Sequence, residues 1–167
     1  MKKNAVPFIV LGLVCAGYLI FIAGSASLLP ERVATHFGGG GEANGWMSRS
    51  TDLVFFGGLG VGLPLFFIVL SLAAGLLPAR FVNLPHREYW LSPERRAQTL
   101  AYISRQMIWM SCLMVLFLAG IHYLTILANR ATPPHLPMGL LLVLTGGFLS
   151  GVTAWSIVFI RHFRKTP

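Results

Sequence analysis

The chain has 167 residues, of which 55% are hydrophobic and 11% are charged, and its formal net charge is +8 at pH 7. A soluble globular domain carries about 25% charged residues, so this composition excludes an ordinary soluble enzyme and favours a membrane protein. The basic residues lie beside apolar segments instead of forming one patch, so no nucleic-acid partner is expected.

Four long apolar segments predict four transmembrane helices. Each has about the 20 apolar residues that a helix needs to cross roughly 30 Å of hydrocarbon. None contains Asp, Glu, Lys or Arg, and their backbone groups must bond within the helix. The sequence therefore predicts an all-α, four-transmembrane-helix bundle that forms one domain over residues 1–167. The predicted spans are Ala5–Leu29, Leu53–Leu77, Met107–Ala128 and Met138–Ile160.

The first apolar segment could be mistaken for a secretory signal, because Lys2 and Lys3 precede it. Its length exceeds the roughly 7–15 apolar residues of a signal core. We therefore expect a retained membrane anchor.

The outer loop at 30–52 contains an alternating segment, Val33 to Phe37, followed by four glycines and Asn44-Gly45. Alternation next to an Asn-Gly pair is typical of a short strand and a tight turn. The sequence therefore predicts a small glycine-rich hairpin in this loop.

The inner loop at 78–106 contains Ser92-Pro93-Glu94, which combines an N-cap residue, a first-turn proline and an acid. Leu100, Ile103 and Met107 then recur at helical spacing. This pattern predicts an interfacial helix that begins near Pro93 and runs toward or into the third span.

Charge asymmetry predicts the orientation of the chain. Ten of the 13 basic residues precede the first span, lie between the second and third spans, or follow the fourth. By the positive-inside rule, both termini and loop 78–106 face the cytoplasm, while loops 30–52 and 129–137 face outward. We expect a multi-pass protein of the bacterial cytoplasmic (inner) membrane, with anionic lipid headgroups beside its basic segments.

Two sequence blocks carry a family resemblance. The first runs from Leu29-Pro30 through His36-Phe37 and Gly41 to Asn44-Gly45-Trp46, and the second is the 83–96 block with the pattern NLPxxxYWLxPERR. The chain resembles an uncharacterised bacterial family of four-span membrane proteins, whose outer-loop domain also occurs in immunity proteins against the sporulation-delaying toxin. The resemblance implies the fold and the membrane location, and it raises toxin immunity as an expectation.

Histidines predict a ligand site on the outer side. His36 can donate, accept or bind metal near neutral pH, and an ionisable His122 within a span is a functional candidate by default. With His135 and an oxygen donor from Glu31 or Glu42, they could bind zinc or another divalent transition metal. A structural role for each histidine is the alternative. The predicted outer ligand residues are His36, Phe37, Trp46, Arg49 and His122.

A second candidate site lies in the inner loop, where Trp and Arg are preferred anchors for partners. These residues could bind a lipid headgroup or a peptide or protein partner, or they could serve topology and helix capping alone. They are Asn83, Tyr89, Trp90, Glu94, Arg95 and Arg96.

Function is predicted only broadly. The sequence contains no His-Glu-x-x-His and no Gly-x-Ser-x-Gly motif, so an enzyme is not favoured. A binding, sensing or immunity-type membrane protein is the preferred interpretation. A small membrane enzyme with a histidine metal site and an accessory subunit of a transporter are the alternatives.

Two pairs of glycines lie four residues apart within the spans. Gly58/Gly62 and Gly147/Gly151 are expected to pack helices within the chain or in a homo-oligomer.

Overall fold

The computed structural model describes residues 5–164, without the side chain of Ala79, so Lys2, Lys3 and Lys165 lie outside the described residues. Its elements, in chain order, are five α-helices and one two-stranded hairpin. Single 3₁₀ turns follow α1 at Ser25–Leu28 and α2 at Ala79–Phe81. The elements are α1 (Ala5–Gly24), β1 (Arg32–Phe37), β2 (Ala43–Ser48), α2 (Arg49–Leu76), α3 (Arg87–Trp90), α4 (Arg96–Arg130) and α5 (Met138–Arg164).

Four of these helices are long and apolar enough to cross a membrane, which confirms the predicted fold class. Each of the helices α1, α2 and α5 has one end within a residue of the predicted span. At the other end, α1 stops five residues early at Gly24, α2 begins four residues early at Arg49, and α5 continues four residues further to Arg164. Helix α4 starts at Arg96, three residues after the predicted start near Pro93, and continues without interruption into the third span for 35 residues, as the sequence predicts. At 1.5 Å per residue it is roughly 50 Å long, well beyond the hydrocarbon thickness.

The predicted hairpin is present. β1 and β2 are antiparallel, with Ala34 opposite Trp46, and the register is irregular around His36. The turn closes with a bond from the Gly38 amide to the Glu42 carbonyl at 2.8 Å. Gly41 has φ of +100°, and a Cβ there would lie 2.7 Å from His135 Cε1, so this position needs glycine.

Helix α4 is the centre of the bundle, because α1, α2 and α5 all pack against it. Tyr18, Phe56 and Val115, one residue from each of the three helices α1, α2 and α4, form the main buried cluster with Ile22 and Leu118. The Tyr18 hydroxyl donates to the Phe56 carbonyl at 2.8 Å. Its ring lies directly against Gly60, where an added Cβ would come within 2.0 Å of Cε1.

Of the glycine pairs expected to pack helices, only Gly151 approaches another helix closely: a Cβ there would lie 3.3 Å from Leu113, whereas one at Gly58, Gly62 or Gly147 would meet no atom within 4 Å. The closest approach is at Gly60. A backbone that approaches an aromatic ring needs glycine wherever the ring lies, and the four-residue spacing does not reveal that position.

Asn129 attaches the hairpin to α4. Its Oδ1 accepts from the Ala34 amide at 2.8 Å, and its Nδ2 donates to the Ala34 carbonyl at 2.9 Å. The Leu136 amide donates to the Gly41 carbonyl at 2.8 Å and joins the loop before α5 to the turn. We call this part of the molecule, residues 25–48 and 129–137, the hairpin end.

The opposite end carries α3 and the ends of the other helices. Trp90 Nε1 donates to the Phe163 carbonyl at 2.9 Å, and Thr99 Oγ1 donates to the Trp90 carbonyl at 2.7 Å. These two bonds hold α3 between α4 and α5. We call this region, residues 77–105 and 158–164, the basic end.

Candidate functional site

A cleft of about 280 Å³ at the basic end has the most distinctive chemistry of the molecule. Arg95 immediately precedes α4, and Arg105 lies within that helix, nine residues after its start. Both line the cleft together with His162 of α5. Among the described residues that line it, none is Asp or Glu. The complete lining is Trp90, Arg95, Gln98, Thr99, Tyr102, Arg105 and His162.

Aromatic rings form one wall of this cleft. The Tyr102 and His162 rings are stacked with centroids 3.8 Å apart and planes inclined by 13°, and the Arg105 guanidinium lies 5.4 Å from the Tyr102 centroid. The Trp90 ring lies 5.2 Å from His162. Cation–π contacts of this kind orient a guanidinium without neutralising its charge. The cleft therefore offers oriented cationic donors and flat apolar walls.

The predicted inner residues do not all lie at this cleft. Trp90 and Arg95 line the cleft, and Tyr89 supports it, because the Arg95 guanidinium lies 4.1 Å from the Tyr89 ring centroid. Asn83 lines a separate, open depression of about 570 Å³. Arg96 caps α2: its Nη2 donates to the carbonyls of Gly75 and Leu77 at 3.1 and 2.7 Å.

Glu94 is fully exposed and precedes α4. The pKa of its carboxyl lies below the usual value, first because its own backbone amide bonds to the carboxylate and also because Arg95 is nearby. Glu94 is therefore an anion at the start of α4, where the helix dipole favours negative charge.

The hairpin end contains a smaller pocket of about 220 Å³. Thr35, His36 and Phe37 of β1 form one side, and Leu136 and Leu141 form part of the other; Ile121, Leu124 and Thr125 of α4 complete it. The His36 Nδ1 atom is hydrogen-bonded to Asn44 Oδ1 across the hairpin. His36 and Phe37, two of the predicted outer ligand residues, are thus adjacent in one amphipathic pocket.

The other predicted outer residues lie elsewhere. Trp46 is on the opposite strand, 45% exposed, with the Arg32 guanidinium 5.3 Å from its ring centroid. Arg49 has a structural contact, because its Nη1 donates to the carbonyls of Ala26 and Leu29 at 3.3 and 3.1 Å. These carbonyls follow α1, so Arg49 closes the end of the first span.

His122 lies inside the bundle and is completely buried. Its Nε2 is 2.7 Å from Ser25 Oγ, and its Nδ1 is 3.7 Å from Asp52 Oδ2. His36 bonds to Asn44 and His135 lies against Gly41. Both of these histidines are exposed, whereas His122 is buried. Within residues 5–164, no group of three His, Cys, Asp or Glu side chains is placed to hold a metal ion.

Sequence reasoning missed Ser25 and Asp52 as partners of His122. We call these three residues the polar cluster. The sequence predicts Asp52 within the outer loop at 30–52, but the N-cap bond from the Thr51 amide to Ser48 Oγ, at 3.2 Å, starts α2 early and brings Asp52 into its first turn. The available signal was an acid four residues after a serine, at the start of an apolar run.

Comparison with known proteins identifies part of the chain. Residues 13–61 match the family described as "Domain of unknown function (DUF1648)". This segment runs from α1 through the hairpin into α2 and includes Ser25 and Asp52. The match supports an uncharacterised domain family, as the resemblance of the first sequence block implied.

The chain is also similar to a curated protein over a longer segment. The putative phospho-N-acetylmuramoyl-pentapeptide-transferase of Methanothermobacter thermautotrophicus is 30% identical over 104 residues, which are 61% of this chain and 29% of that protein. The chain thus spans less than a third of the length of this relative. No solved structure matches the chain.

Proposed function

We propose that this chain is a membrane binding or sensing protein whose basic end recognises an anionic phosphate group, such as that of a lipid headgroup. The observation that carries the proposal is the cleft between α3, α4 and α5. Arg95 and Arg105 lie there together, and none of the described lining residues is acidic. Phosphate oxygens accept hydrogen bonds from guanidinium groups in a bidentate geometry, which arginine provides better than lysine.

The position of the cleft supports a lipid as the source of the phosphate. Arg105 is nine residues into α4, close to where the apolar part of that helix begins, and Val158 and Arg161 of α5 continue the same surface. Trp90 and Tyr102 are amphipathic residues of the kind that favour the headgroup region. A bound headgroup would therefore contact charge and aromatic surface while its chains remain in the bilayer.

The test uses the purified protein in neutral detergent. Binding of fluorescent phosphatidylglycerol is measured by anisotropy, with fluorescent phosphatidylcholine as the neutral probe. Each basic residue near a membrane surface contributes about 1 kcal/mol, so Arg95→Gln with Arg105→Gln should weaken phosphatidylglycerol binding about 30-fold. The control, Arg130→Gln, removes an exposed arginine at the hairpin end and should leave binding unchanged.

Two outcomes decide the proposal. Equal affinity of the double variant and the wild type for phosphatidylglycerol would refute it. Competition by inorganic phosphate would identify the phosphate group itself as the ligand, whereas lack of competition would assign recognition to the intact lipid at the membrane surface.

For the hairpin end we propose a peptide-binding role of the immunity type. It is supported by the pocket at His36 and Phe37, by the exposed Trp46, and by the resemblance of this segment to immunity proteins. A bacterial strain that lacks the gene would be challenged with peptide toxins and complemented with wild type or His36→Ala. Protection by wild type alone is the expected result; equal protection by both would exclude His36.

The proposed sidedness places the basic end in the cytoplasm and the hairpin end outside a bacterial inner membrane, following the positive-inside rule. A membrane-impermeant thiol reagent, applied to intact cells, should then modify Ser48→Cys and leave Glu88→Cys unmodified. Both positions are exposed in the structure. Modification of Glu88→Cys alone would reverse the orientation.

A second candidate function is transfer of a phosphate-linked group. It is favoured by the similarity to the putative phospho-N-acetylmuramoyl-pentapeptide-transferase, together with a cleft suited to phosphate. Incubation of the purified protein with a phospho-N-acetylmuramoyl-pentapeptide donor and a membrane-lipid phosphate as the acceptor, followed by mass spectrometry of both substrates, tests it. A product that depends on Arg95 and Arg105 is expected if this function is correct, and absence of turnover would remove it.

A further inference from the structure

The polar cluster, Ser25, Asp52 and His122, lies at the opposite end of the bundle from the phosphate cleft. Ser25 lies in the turn after α1, Asp52 in the first turn of α2, and His122 in the half of α4 nearer the hairpin end. Their exposed fractions are 1%, 0% and 0%. Polar side chains so deeply buried are costly unless each one has partners.

The hydrogen bonds within the cluster are incomplete. Ser25 Oγ lies 2.7 Å from both the Ile22 carbonyl and His122 Nε2, and it has one hydrogen to donate. At the other side of the ring, His122 Nδ1 and both Asp52 carboxyl oxygens have no hydrogen-bond partner among the described residues. The His122 Nδ1 and Asp52 Oδ2 atoms face each other at 3.7 Å.

The surroundings offer little to neutralise a charge. The Phe56 and Phe21 rings lie 4.8 and 5.6 Å from the His122 ring. Two other ionisable side chains of the packed helices bond to carbonyl groups and not to Asp52 or His122: Tyr18 donates to the Phe56 carbonyl, and Arg49 donates to the carbonyls after α1. The amino end of α2 supplies roughly half a positive charge, which is too little for a full carboxylate.

We propose that the polar cluster is a proton-binding site, in which Asp52 and His122 together hold one proton inside the bundle. With one proton the pair has no net charge, either as neutral acid and imidazole or as carboxylate and imidazolium. Loss of that proton leaves an unpaired anion, and gain of a second leaves an unpaired cation. Each state places a net charge in a desolvated environment, where it is strongly unfavourable.

The number of protons at this site should affect the hairpin, because the site lies where the hairpin joins the helices. Ser25 precedes β1 by seven residues, and Asp52 follows β2 by four. The site therefore joins both ends of the hairpin segment to α4. A change in proton number would loosen this junction and with it the pocket at His36.

The order of the atoms also resembles that of an acyl-transfer triad, with serine at Nε2 and a carboxylate at Nδ1. Ser25 Oγ is enclosed, however, and shares its hydroxyl with the Ile22 carbonyl of its own turn. A nucleophile needs an accessible oxygen atom, so the arrangement favours proton binding over covalent catalysis.

The experiment measures reversible unfolding of the purified full chain in mixed detergent as a function of pH. An exposed aspartate and histidine hold one proton in total between about pH 4 and 6.5. Above about pH 6.5 the unfolded chain loses this proton and the folded pair keeps it, so the folding equilibrium constant should fall about tenfold per pH unit. Below about pH 4 it should fall because the unfolded chain binds a second proton.

We call the decline of stability toward alkaline pH the alkaline limb of the profile, and the decline toward acid pH the acid limb. Two variants each act on one of these limbs. Asp52→Asn leaves a neutral imidazole, so the decline toward alkaline pH should disappear, and a decline should begin below about pH 6.5. His122→Gln leaves a neutral acid, so the decline toward alkaline pH should begin near pH 4, and the part of the acid limb that comes from the polar cluster should disappear. Ser25→Ala lowers stability at every pH without removing either limb, because serine does not titrate. A pH profile that is the same in wild type and Asp52→Asn would overturn the proposal.

If the variants do not fold, spectroscopy of the wild-type protein alone still tests the proposal. At pH 7, either the infrared band of a protonated carboxyl group or the ¹⁵N signals of a doubly protonated His122 should be present. A carboxylate beside a singly protonated imidazole would overturn the proposal, and so would a spectrum that changes with sodium concentration at constant pH. Covalent labelling of Ser25 by a fluorophosphonate would overturn it in favour of acyl transfer.

Discussion

The contact between Tyr18 and Gly60 predicts a large effect of a single methyl group. In Gly60→Ala the new Cβ would lie 2.0 Å from Tyr18 Cε1 and 2.5 Å from Cδ1. The clash involves the body of a rigid ring, and Tyr18 is only 4% exposed, so the ring cannot turn out of the core. The helices must separate, and the shift also takes Tyr18 away from its bond to the Phe56 carbonyl.

The magnitude follows from two contributions. Overpacking of a tight core costs about 1–3 kcal/mol, and loss of a hydrogen bond costs about 1 kcal/mol more. Alanine also has the higher helix propensity, by about 1 kcal/mol over glycine. The matched control is Gly58→Ala, two residues away on α2, where a Cβ meets nothing within 4 Å. The propensity term cancels between the variants, so Gly60→Ala should be less stable than Gly58→Ala by about 2–4 kcal/mol.

The assay is reversible unfolding of the purified protein by sodium dodecyl sulfate in mild detergent, followed by circular dichroism. Gly58→Ala should unfold at the same or a higher denaturant fraction than wild type, and Gly60→Ala at a clearly lower one. If the two alanine variants unfold together, the packing of α1 against α2 through Gly60 is refuted.

Two further predictions concern the two ends of the molecule. Asn129→Ala leaves the amide and carbonyl of Ala34 without partners, which costs about 1–3 kcal/mol, so hydrogen exchange should accelerate in the hairpin and not in α5. Equal protection of the hairpin in both proteins would contradict the attachment. Glu94 stabilises the folded protein in full above the usual carboxyl pKa, and this contribution is lost as the pH falls through the lowered pKa. Glu94→Gln should therefore remove part of the loss of stability in acid, and an unchanged acid limb would show that Glu94 contributes nothing.

Much of the fold could be predicted because each span must satisfy its own backbone in lipid. This requirement appears in the sequence as local composition, so α1, α2 and α5 lie close to their expected limits. The hairpin was also predictable, since its alternation and its glycines are local signals. The start of α4 lies three residues after the predicted one, because Ser92-Pro93-Glu94 marks the approach to the helix and not the residue at which it begins.

The candidate sites were predicted less completely, because they depend on contacts between distant residues. The sequence singled out Trp90 and Arg95, but the cleft also needs Arg105 and His162, which are 57 residues apart in the chain. Arg49 and Arg96, which the sequence predicts as ligand-binding residues, donate to carbonyls at helix ends in the structure. An arginine that serves a ligand and one that caps a helix have the same local sequence signal.

The sequence by itself determined a four-span membrane chain, a glycine-rich hairpin and an unequal distribution of charge, because hydropathy and turn chemistry act over a few residues. Only the tertiary structure decided that His122 is buried and meets Ser25 and Asp52, while His36 and His135 are exposed. Ser25 and His122 are 97 residues apart. Their contact depends on how α1, α2 and α4 rotate about their axes to bury Tyr18 against Gly60, and no local pattern specifies that rotation.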